Sequence, residues 1–489
     1  MQLQMKPDGE TFAALSREWP LVPVWAELLA DVCTPVGLFP ALAGDGPGVL
    51  LESVERSERW GRYSFVSGDP AALVVVDEEG LRVIKQARDL PLGGTAGSPL
   101  AALKGVASQL RAPRMQGLPA LTGGLVGLLA YEAAQLLDGH PFPPGEGVPC
   151  PPIVLQVVDR AVVFDHWLQR LMLVAHLPAG APYEAGVAAL EGLASRVISA
   201  VPPEPEALSD EVAAAGGEPN MTDERYVQIV ARMKEHILAG DIFQGVPSRR
   251  VTLAAERGGL PIYRRLRLTN PAPYMFFLRM LDMELAGSSP EPLVRVEGRR
   301  VSSRPIAGTR PRGETEERDR ELEAELLADP KELAEHAMLV DLARNDLGRV
   351  CTAGTVRPTE LMAVERFSRV MHIVSTVEGE LAEGMGPLDA LAVTFPAGTV
   401  TGAPKRRAME IIAQEEPTAR GPYSGAVGYL TFEGNLDFCI TIRTAVVRGG
   451  EVSVQAGAGV VADSDPALEL AESKAKASAL LSAIAGGSS

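Results

Sequence analysis

A segment rich in proline and glycine at residues 201–220 constrains the fold of this 489-residue chain more than any other feature. It holds four prolines and two glycines among alanine and glutamate residues, with too few large apolar side chains to form a core. Such a composition is typical of a linker. We therefore predict an N-terminal domain over residues 20–200, a linker over 201–221 and a second domain over 222–483.

Composition and charge argue against several classes of protein. The chain is 46% hydrophobic and 22% charged, as expected of a globular protein with a large core. Its formal net charge of −17 argues against nucleic acid or an anionic membrane as a partner. The four cysteines share no CxxC motif, and the N-terminus lacks an apolar signal core. No uninterrupted apolar run of about 18 residues is present, so we predict a cytoplasmic protein without a membrane span.

Hydrophobic periodicity predicts both strands and helices. Residues 71–76 are expected to form a strand, and residues 154–164 and 170–175 neighbouring strands around a short turn. After the linker, Thr222 is a plausible N-cap for a helix. The apolar residues of that helix recur at helical spacing as Tyr226, Ile229, Val230, Met233 and Ile237.

Two predicted helices each carry a pair of glutamates three residues apart. The first begins with an Asp-Pro pair at residues 329–330 and places Glu332 and Glu335 on one face. The second begins near residue 466 and repeats the spacing with Glu469 and Glu472. Two helices that offer carboxylates in this way supply the oxygen ligands that Mg²⁺ prefers. The same spacing is also found on ordinary solvated helix faces.

Five short segments that contain glycine, threonine, tyrosine or arginine lie beside strand-like runs. They occupy residues 303–310, 395–405, 421–429, 441–443 and 455–461. In the first, a Gly-Thr turn between proline and arginine offers backbone N–H groups, a hydroxyl and a guanidinium, which together suit a carboxylate or another small anion. Taken singly, each segment also fits an ordinary tight turn or β-bulge.

Taken together and in this order, the segments resemble those of the chorismate-using enzymes. The resemblance is closest to anthranilate synthase component I, the large subunit that makes anthranilate for tryptophan synthesis, and it covers roughly residues 20–483. It implies an α+β fold of two interlocked domains, a sandwich of mixed, largely antiparallel sheets flanked by helices. Residues 335–347 resemble the first metal-binding segment of that family, and residues 472–477 resemble the second.

The resemblance also implies roles for individual residues. Glu335 and Glu472 are expected to ligate Mg²⁺, with Glu332 and Glu469 assisting. The residues expected to contact chorismate are Gly308, Thr309, Tyr423, Arg443, Gly457, Ala458 and Gly459, with Lys476 as a further candidate. The residues expected to take part in catalysis are Glu332, His372, Thr399 and Gln244. Without the resemblance, a lone histidine in an apolar strand such as His372 is more often a core residue.

Two positions discriminate among the relatives. Gln244 stands where the isochorismate and salicylate enzymes have a lysine that activates water, and a neutral amide cannot act as that base. Ala307 stands where many aminodeoxychorismate synthases have a lysine nucleophile. Gln244 therefore favours ammonia over water as the nucleophile, and Ala307 removes the lysine that could attack the ring. The resemblance then implies that ammonia adds at C2 while the C4 hydroxyl leaves, before pyruvate is eliminated. Glu332 would protonate the leaving hydroxyl, and His372 would assist proton movement. Pro247 departs from the family pattern and puts local strand pairing in doubt.

The source of ammonia can also be predicted. The chain contains no Gly-x-Cys-x-Gly segment of the kind that carries a glutaminase nucleophile. By the resemblance, a separate glutamine amidotransferase subunit, anthranilate synthase component II, supplies ammonia, and the two subunits assemble as a heterotetramer.

A regulatory site is implied by two further segments. Residues 50–53 and 61–64 lie in the first domain, and residues 270–277 lie in the second. Singly, they fit a helix terminus and a Pro-containing turn before a buried strand. In anthranilate synthases they form a feedback pocket for L-tryptophan. The residues implied to bind it are Ser53, Pro273, Tyr274 and Met275, with Glu52 and Asn270 nearby.

Two other functions remain open at this stage. The first is an aminodeoxychorismate synthase component I that lacks the lysine nucleophile. The second is a catalytically silent sensor of chorismate or tryptophan, which the presence of Glu335, Glu472, His372 and Arg443 disfavours.

Overall fold

The protein is described by a computed structural model that covers residues 3–29, 33–53, 61–93, 97–138, 150–205, 216–255, 257–366 and 370–485. Its α-helices are α1 (Gly9–Leu15), α2 (Pro35–Ala43), α3 (Pro99–Gln109), α4 (Ala133–Asp138), α5 (Tyr183–Ile198), α6 (Asp223–Leu238), α7 (Gly259–Thr269), α8 (Glu316–Ala328), α9 (Pro330–Gly348), α10 (Pro387–Thr394), α11 (Lys405–Glu415) and α12 (Pro466–Ala485). None of the helices in these ranges has the length and apolar character needed to cross a membrane.

The strands of the N-terminal part are β1 (Leu21–Leu29), β2 (Gly48–Glu52), β3 (Tyr63–Gly68), β4 (Ala72–Asp77), β5 (Gly80–Ile84), β6 (Gly124–Leu129), β7 (Ile153–Val158), β8 (Arg160–Asp165) and β9 (Arg170–Pro178). Those of the C-terminal part are β10 (Glu218–Pro219), β11 (Gln244–Gly245), β12 (Ser248–Ala254), β13 (Tyr274–Met280), β14 (Met283–Ser289), β15 (Pro292–Glu297), β16 (Arg300–Ser303), β17 (Ile306–Pro311), β18 (Arg357–Arg366), β19 (Val370–Glu380), β20 (Gly402–Ala403), β21 (Ala426–Thr431), β22 (Leu436–Ile440), β23 (Thr444–Arg448) and β24 (Glu451–Gly457).

Two eleven-stranded sheets each combine strands from both sides of the predicted linker. The first has the order β1-β9-β8-β3-β2-β13-β14-β23-β24-β12-β10, and its two parts join where β2 pairs with β13. The second has the order β17-β19-β16-β15-β22-β21-β6-β7-β4-β5, with β18 also on β19, and its two parts join where β6 pairs with β21. These junctions are antiparallel, as expected from the sequence, and they interlock the two parts of the chain.

Three apolar layers hold the sheets and helices together. Side chains from both sheets, such as Trp25, Val126 and Phe276, form a core between the sheets. Helices α2, α5, α7 and α12 cover the outer face of the first sheet, and α3, α9 and α10 cover that of the second. Because both faces of each sheet are covered, many strands are apolar along their whole length, and burial of this surface drives assembly of the sandwich. The predicted α+β fold is confirmed.

The predicted helix starts are correct because capping is encoded locally. The Thr222 hydroxyl accepts a hydrogen bond from the Arg225 N–H at 3.2 Å, and α6 begins directly after it. The Asp329 carboxylate accepts from the Lys331 N–H at 3.0 Å, at the start of α9. Such caps satisfy backbone N–H groups that have no partner inside the helix.

The prediction of one strand over residues 154–164 is wrong. The chain divides at Asp159 into β7 and β8, which belong to different sheets. Asp159 is buried and binds Arg88 at 2.6 Å, so the charged pair Asp159-Arg160 marks the crossing between two apolar runs. The last part of the predicted linker also differs, because Glu218–Pro219 forms the edge strand β10. Residues 206–215 lie outside the described ranges, and the domain boundary stays a prediction.

Candidate active site

A bulge between β17 and β19 builds one wall of the candidate site. Gly308 adopts a positive φ of 69° there, which glycine tolerates best. The register shifts at this glycine, so that Thr309 lies opposite His372. The Thr309 hydroxyl is 3.0 Å from His372 Nδ1, and the Gly308 carbonyl is 3.1 Å from the same nitrogen. Because a carbonyl can only accept, Nδ1 carries the proton and Nε2 is left as the basic nitrogen.

Helix α9 places Glu332 against this bulge. A Cβ atom on Gly308 would lie 3.2 Å from Glu332 Oε2, so a larger residue would crowd the carboxylate. Arg310 Nη1 donates to Glu332 Oε1 at 3.1 Å, and Arg310 Nη2 donates to Asp329 Oδ2 at 2.8 Å. Glu332 is therefore held in an ion pair with Arg310.

Glu335 lies one turn further along α9 and faces Gln244. Gln244 Nε2 donates to Glu335 Oε1 at 3.2 Å. Burial raises the pKa of Glu335, and the charges of Glu332 and Glu472 add to this rise. The other side-chain atom of the buried Gln244, Oε1, has no hydrogen-bond partner within the described chain and is available to a ligand.

Helix α12 brings the second glutamate pair and a lysine to the same side. Burial raises the pKa of Glu469, and the charge of Glu472 adds to it. Lys476 Nζ lies 2.7 Å from Glu472 Oε1 and donates to the Gly457 carbonyl at 3.2 Å. Residues 3–485, apart from the gaps given above, contain no group of three or more metal-ligating side chains already converged on one point.

These carboxylates nevertheless fit Mg²⁺ by their chemistry. They are hard oxygen donors, and the mutual charge that raises the pKa of Glu335 would be relieved by a cation. Mg²⁺ needs only one or two protein carboxylates, because it keeps several waters and takes oxygen from the substrate. Two carboxylates from α9 and α12 therefore suffice, and the assignment of Glu335 and Glu472 stays a prediction.

The glycines at the end of β24 allow a close approach of neighbouring backbone and side chains. A Cβ on Gly457 would lie 2.4 Å from the Pro247 carbonyl, and one on Gly459 would lie 2.9 Å from Gln244 Nε2. Ala458 between them is fully buried. The pairing placed in doubt by Pro247 survives, because Ser248 still pairs with Gly457 on the far side of the proline.

Tyr423 and Arg443 project from two adjoining turns. Ser424 and Arg443 both have positive φ, at 61° and 49°. The Ser424 N–H donates to the Thr441 carbonyl at 2.9 Å, which ties one turn to the other. Tyr423 is 8% exposed, and burial raises the pKa of its hydroxyl. Burial lowers the pKa of Arg443, while the charge of Glu291 opposes this change.

Glu291 is a site residue that sequence reasoning missed. It directly precedes β15, and burial raises its pKa to about 7, while the charges of Lys476 and Arg443 act in the opposite sense. The Thr399 hydroxyl lies beside the Glu291 carboxyl group and, as a hydrogen-bond donor, also opposes the rise in its pKa. The sequence signal was weak, a glutamate after Ser-Ser-Pro between two apolar runs. Its position depends on the crossing from the first sheet to the second.

A separate cavity of about 370 Å³ lies between the two sheets. It brings together the two segments predicted to form a regulatory pocket, and Glu52, Ser53, Pro273, Tyr274 and Met275 line it. Asn270 is not among the lining residues, because its side chain donates to the Ser288 hydroxyl at 3.2 Å. Glu52 accepts from the Tyr263 hydroxyl at 2.6 Å and pairs with Arg267. The Ser53 hydroxyl is buried and has no partner within the described chain.

Comparisons with known proteins agree with this geometry. Residues 62–482 match the family described as chorismate binding enzyme. The chain is 45% identical over 476 residues to anthranilate synthase component 1 of Pseudomonas aeruginosa, covering 95% of each chain. It is 46% identical over 490 residues to anthranilate synthase component 1 of Streptomyces coelicolor, covering 98% of this chain and 92% of that one. The chain belongs to the chorismate-binding enzyme family.

Solved structures of this family have the same fold. Anthranilate synthase component I from Streptococcus pneumoniae is 31% identical, with a TM-score of 0.74, and the match covers 93% of this chain and 98% of that one. The menaquinone-specific isochorismate synthase of Escherichia coli is 20% identical, with a TM-score of 0.69 over 97% of this chain and 98% of that one. The second likeness concerns the fold alone. The residues around the site, among them Gln244, must therefore decide which chemistry this chorismate-binding chain performs.

Proposed function

We propose that this chain is the large subunit of an anthranilate synthase, which converts chorismate and ammonia to anthranilate and pyruvate for tryptophan synthesis in the cytoplasm. The observation that carries the proposal is the presence of Gln244 against Glu335, where a water-activating lysine would otherwise stand. Ammonia is already a good nucleophile and needs no base at this position. The names of relatives that are 40–46% identical support the same assignment.

The first chemical step needs a proton donor for the C4 hydroxyl, and Glu291 is better suited to this role than Glu332. Its pKa of about 7 keeps a large fraction protonated near neutral pH. Glu332 is instead paired with Arg310. Ammonia forms a bond to C2, the ring double bonds shift, and the C4–O bond breaks as the hydroxyl takes the Glu291 proton and leaves as water.

The second step removes the proton at C2 and expels the enolpyruvyl group as pyruvate. His372 is suited to accept this proton through Nε2, since Gly308 fixes the proton on Nδ1. Burial lowers the pKa of His372, which keeps the ring neutral and basic near pH 7. Loss of the C2 proton and of the C3–O bond leaves an aromatic ring, which makes the elimination favourable.

Binding of chorismate would use groups that converge on the site. Arg443 is suited to fork onto a carboxylate, and the N–H groups and hydroxyl of Gly308 and Thr309 suit another anionic oxygen. The metal-binding pair Glu335 and Glu472 would hold Mg²⁺, which when bound neutralises a substrate carboxylate that otherwise faces acidic side chains.

The partner and the inhibitor belong to the same proposal. A glutamine amidotransferase subunit would supply ammonia, in a heterotetramer of two subunits of each kind. L-Tryptophan would occupy the 370 Å³ cavity, where the apolar lining suits an indole and the unpartnered Ser53 hydroxyl is available to its polar end.

A product assay tests the proposal. The purified chain is incubated with chorismate, ammonium and Mg²⁺, and anthranilate is followed by its fluorescence. We expect anthranilate to form without an added lyase. Accumulation of aminodeoxychorismate would identify the lysine-lacking aminodeoxychorismate synthase instead, and absence of turnover with retained chorismate binding would identify a sensor.

A further inference from the structure

The turn that carries Tyr423 is anchored by residues outside the substrate site. This turn, residues 420–425 and here called the substrate turn, joins α11 to β21. The Thr441 N–H donates to the Gly425 carbonyl at 2.9 Å, and the Ser424 N–H donates to the Thr441 carbonyl at 2.9 Å. The substrate turn therefore also supports the segment that leads to Arg443. Both side chains proposed to bind chorismate depend on where this turn lies.

Glu132, from the N-terminal part of the chain, holds the backbone of the substrate turn. Its Oε1 accepts from the Arg420 N–H at 2.8 Å, and both carboxylate oxygens accept from the Gly421 N–H, at 3.2 and 3.1 Å. In return, the Tyr131 N–H donates to the Gly421 carbonyl at 2.8 Å. Gly421 needs this support because it has a positive φ of 63° and lies in a tight turn.

Arg420 extends the same network beneath the site. Its guanidinium is 2% exposed and binds the Glu416 carboxylate at 2.6 Å. It also donates to the Val400 carbonyl at 2.7 Å and to the Val246 carbonyl at 2.6 Å. Val400 follows Thr399, and Val246 lies two residues after Gln244. One buried arginine thus joins three of the segments that surround the proposed substrate.

Aromatic rings clamp this arginine on two sides. The guanidinium carbon of Arg420 lies 4.8 Å from the ring centre of Tyr131 and 5.5 Å from that of Tyr423. Cation–π contacts of this kind are strongest where water is excluded. The orientation of Tyr423 is therefore set by Arg420, whose backbone is in turn set by Glu132.

The strand that leads to Glu132, β6, pairs with a strand that lines the 370 Å³ cavity. β6 ends at Leu129 and pairs with β21, with Leu129 opposite Ala426. The next three residues of β21, Val427, Gly428 and Tyr429, line the 370 Å³ cavity. The substrate turn and the cavity wall are thus consecutive parts of one chain segment, and Glu132 binds the start of this segment at Arg420 and Gly421.

We propose that Glu132 is a positioning residue that holds the substrate turn in its chorismate-binding conformation. Its carboxylate binds the backbone N–H groups of Arg420 and Gly421, and through them it acts on Tyr423 and Arg443. The inference rests on the proposed binding of chorismate at those two side chains. It assigns to the N-terminal part of the chain a direct part in forming the substrate site.

The test compares Glu132→Gln with the wild type in the anthranilate assay. The amide keeps the size of the side chain but replaces one accepting oxygen by a donor that faces the turn's own N–H groups. We expect KM for chorismate to rise about tenfold or more, the factor typical of losing a charge-assisted hydrogen bond, with kcat changed by less than about threefold. This split follows because the reacting groups, Glu291 and His372, do not contact Glu132.

Asp159→Asn is the matched control. Asp159 is also a buried carboxylate of the N-terminal part, and it pairs with Arg88 at 2.6 Å, but it makes no contact with the substrate turn. We expect this variant to lower the melting temperature without changing KM. If Glu132→Gln lowers the melting temperature as Asp159→Asn does and leaves KM unchanged, Glu132 is merely structural and the proposal is wrong.

Glu132→Asp covers the case in which Glu132→Gln does not fold. The aspartate keeps the charge, but its side chain is one methylene shorter and cannot reach both N–H groups, so the same rise in KM is expected. A normal KM in Glu132→Asp would overturn the proposal. These outcomes differ from failure of the proposed function, because in that case the wild type itself would form no anthranilate.

Discussion

At the scale of single residues, the titration of Glu291 gives the sharpest prediction. Burial raises its pKa to about 7, so the carboxyl group is protonated below this pH and loses its proton above it. A proton donor is active in its protonated form, and kcat/KM should therefore fall as pH rises through about 7. Glu291→Gln removes the transferable proton, and we expect kcat to fall by about 10²–10⁴-fold with loss of that limb of the pH profile.

Glu332→Gln separates the two candidate donors. Glu332 accepts from Arg310 and lies beside Gly308, so its amide should weaken substrate binding or Mg²⁺ affinity while leaving the limb near pH 7 in place. If Glu332→Gln abolishes that limb and Glu291→Gln retains it, the roles proposed for these two residues must be exchanged.

The proposed Mg²⁺ ligands can be tested one at a time. Glu335→Gln or Glu472→Gln removes an anionic oxygen, and we expect a fall in activity beyond the roughly 10–100-fold typical of losing a supporting group. Isothermal titration with Mg²⁺ should show weaker binding in both variants. Glu316→Gln is the control, because the Glu316 side chain is 93% exposed on the neighbouring helix. Unchanged Mg²⁺ affinity and turnover in both variants at limiting metal would contradict the assignment.

At the scale of elements, features set by neighbouring residues could be predicted from the sequence, whereas contacts between distant segments could not. The caps Thr222 and Asp329 could be predicted because each acts within its own helix turn. Glu332 and Glu335 share a face of α9 for the same reason. Glu291 and Glu132 could not be found in this way, because their contacts come from segments 100 or more residues distant, such as Glu132 with Gly421. Asp159, where the chain changes sheets, was also missed, because its partner Arg88 lies 71 residues away in the sequence.

The resemblance to a family predicted which distant segments meet, which residue spacing alone could not predict. Nothing local in the sequence places residues 50–53 against residues 270–277, yet β2 pairs with β13 and sets Glu52 opposite Met275. The site glycines were expected as turns, and the structure gives their physical reasons. Gly308 lies in a bulge with positive φ, while Gly457 leaves room for the Pro247 carbonyl.

The cavity between the two sheets, which β2 and β13 border, carries the next prediction. Ser53→Phe should fill the space near the unpartnered hydroxyl and leave an active enzyme that tryptophan no longer inhibits. Met275→Thr should weaken apolar contact with the indole and raise the inhibitory concentration. In the wild type, the coupling free energy between tryptophan binding and chorismate binding should be about 1–3 kcal/mol, as is typical of allosteric pairs of sites. Inhibition of chorismate turnover is measured by tryptophan titration for the wild type and both variants. A Ser53→Phe variant as sensitive as the wild type would show that tryptophan binds elsewhere.

At the scale of the whole molecule, the two sheets make the N-terminal and C-terminal parts mutually dependent. In each sheet, one strand pair joins the N-terminal part to the C-terminal part: β2 with β13 in the first sheet, and β6 with β21 in the second. One junction borders the cavity, and the other leads through Glu132 to the substrate turn. A ligand in the cavity would fix the pairing of β2 with β13. Because the cavity is lined by both sheets, such a ligand would also act on the sheet in which β6 pairs with β21.

The last prediction concerns the nitrogen source and follows from the state of the four cysteines. All of them are free thiols, and burial raises the pKa of each one, that of Cys150 to about 12. A glutaminase nucleophile needs the opposite shift, towards the thiolate. The isolated chain should therefore make anthranilate from ammonium salts and not from glutamine, and a thiol-alkylating reagent should leave the ammonium-dependent rate unchanged. Addition of a component II subunit should confer glutamine-dependent turnover, which the same reagent abolishes. Turnover of glutamine by the pure chain, with no second polypeptide present, would contradict the prediction that a separate subunit supplies ammonia.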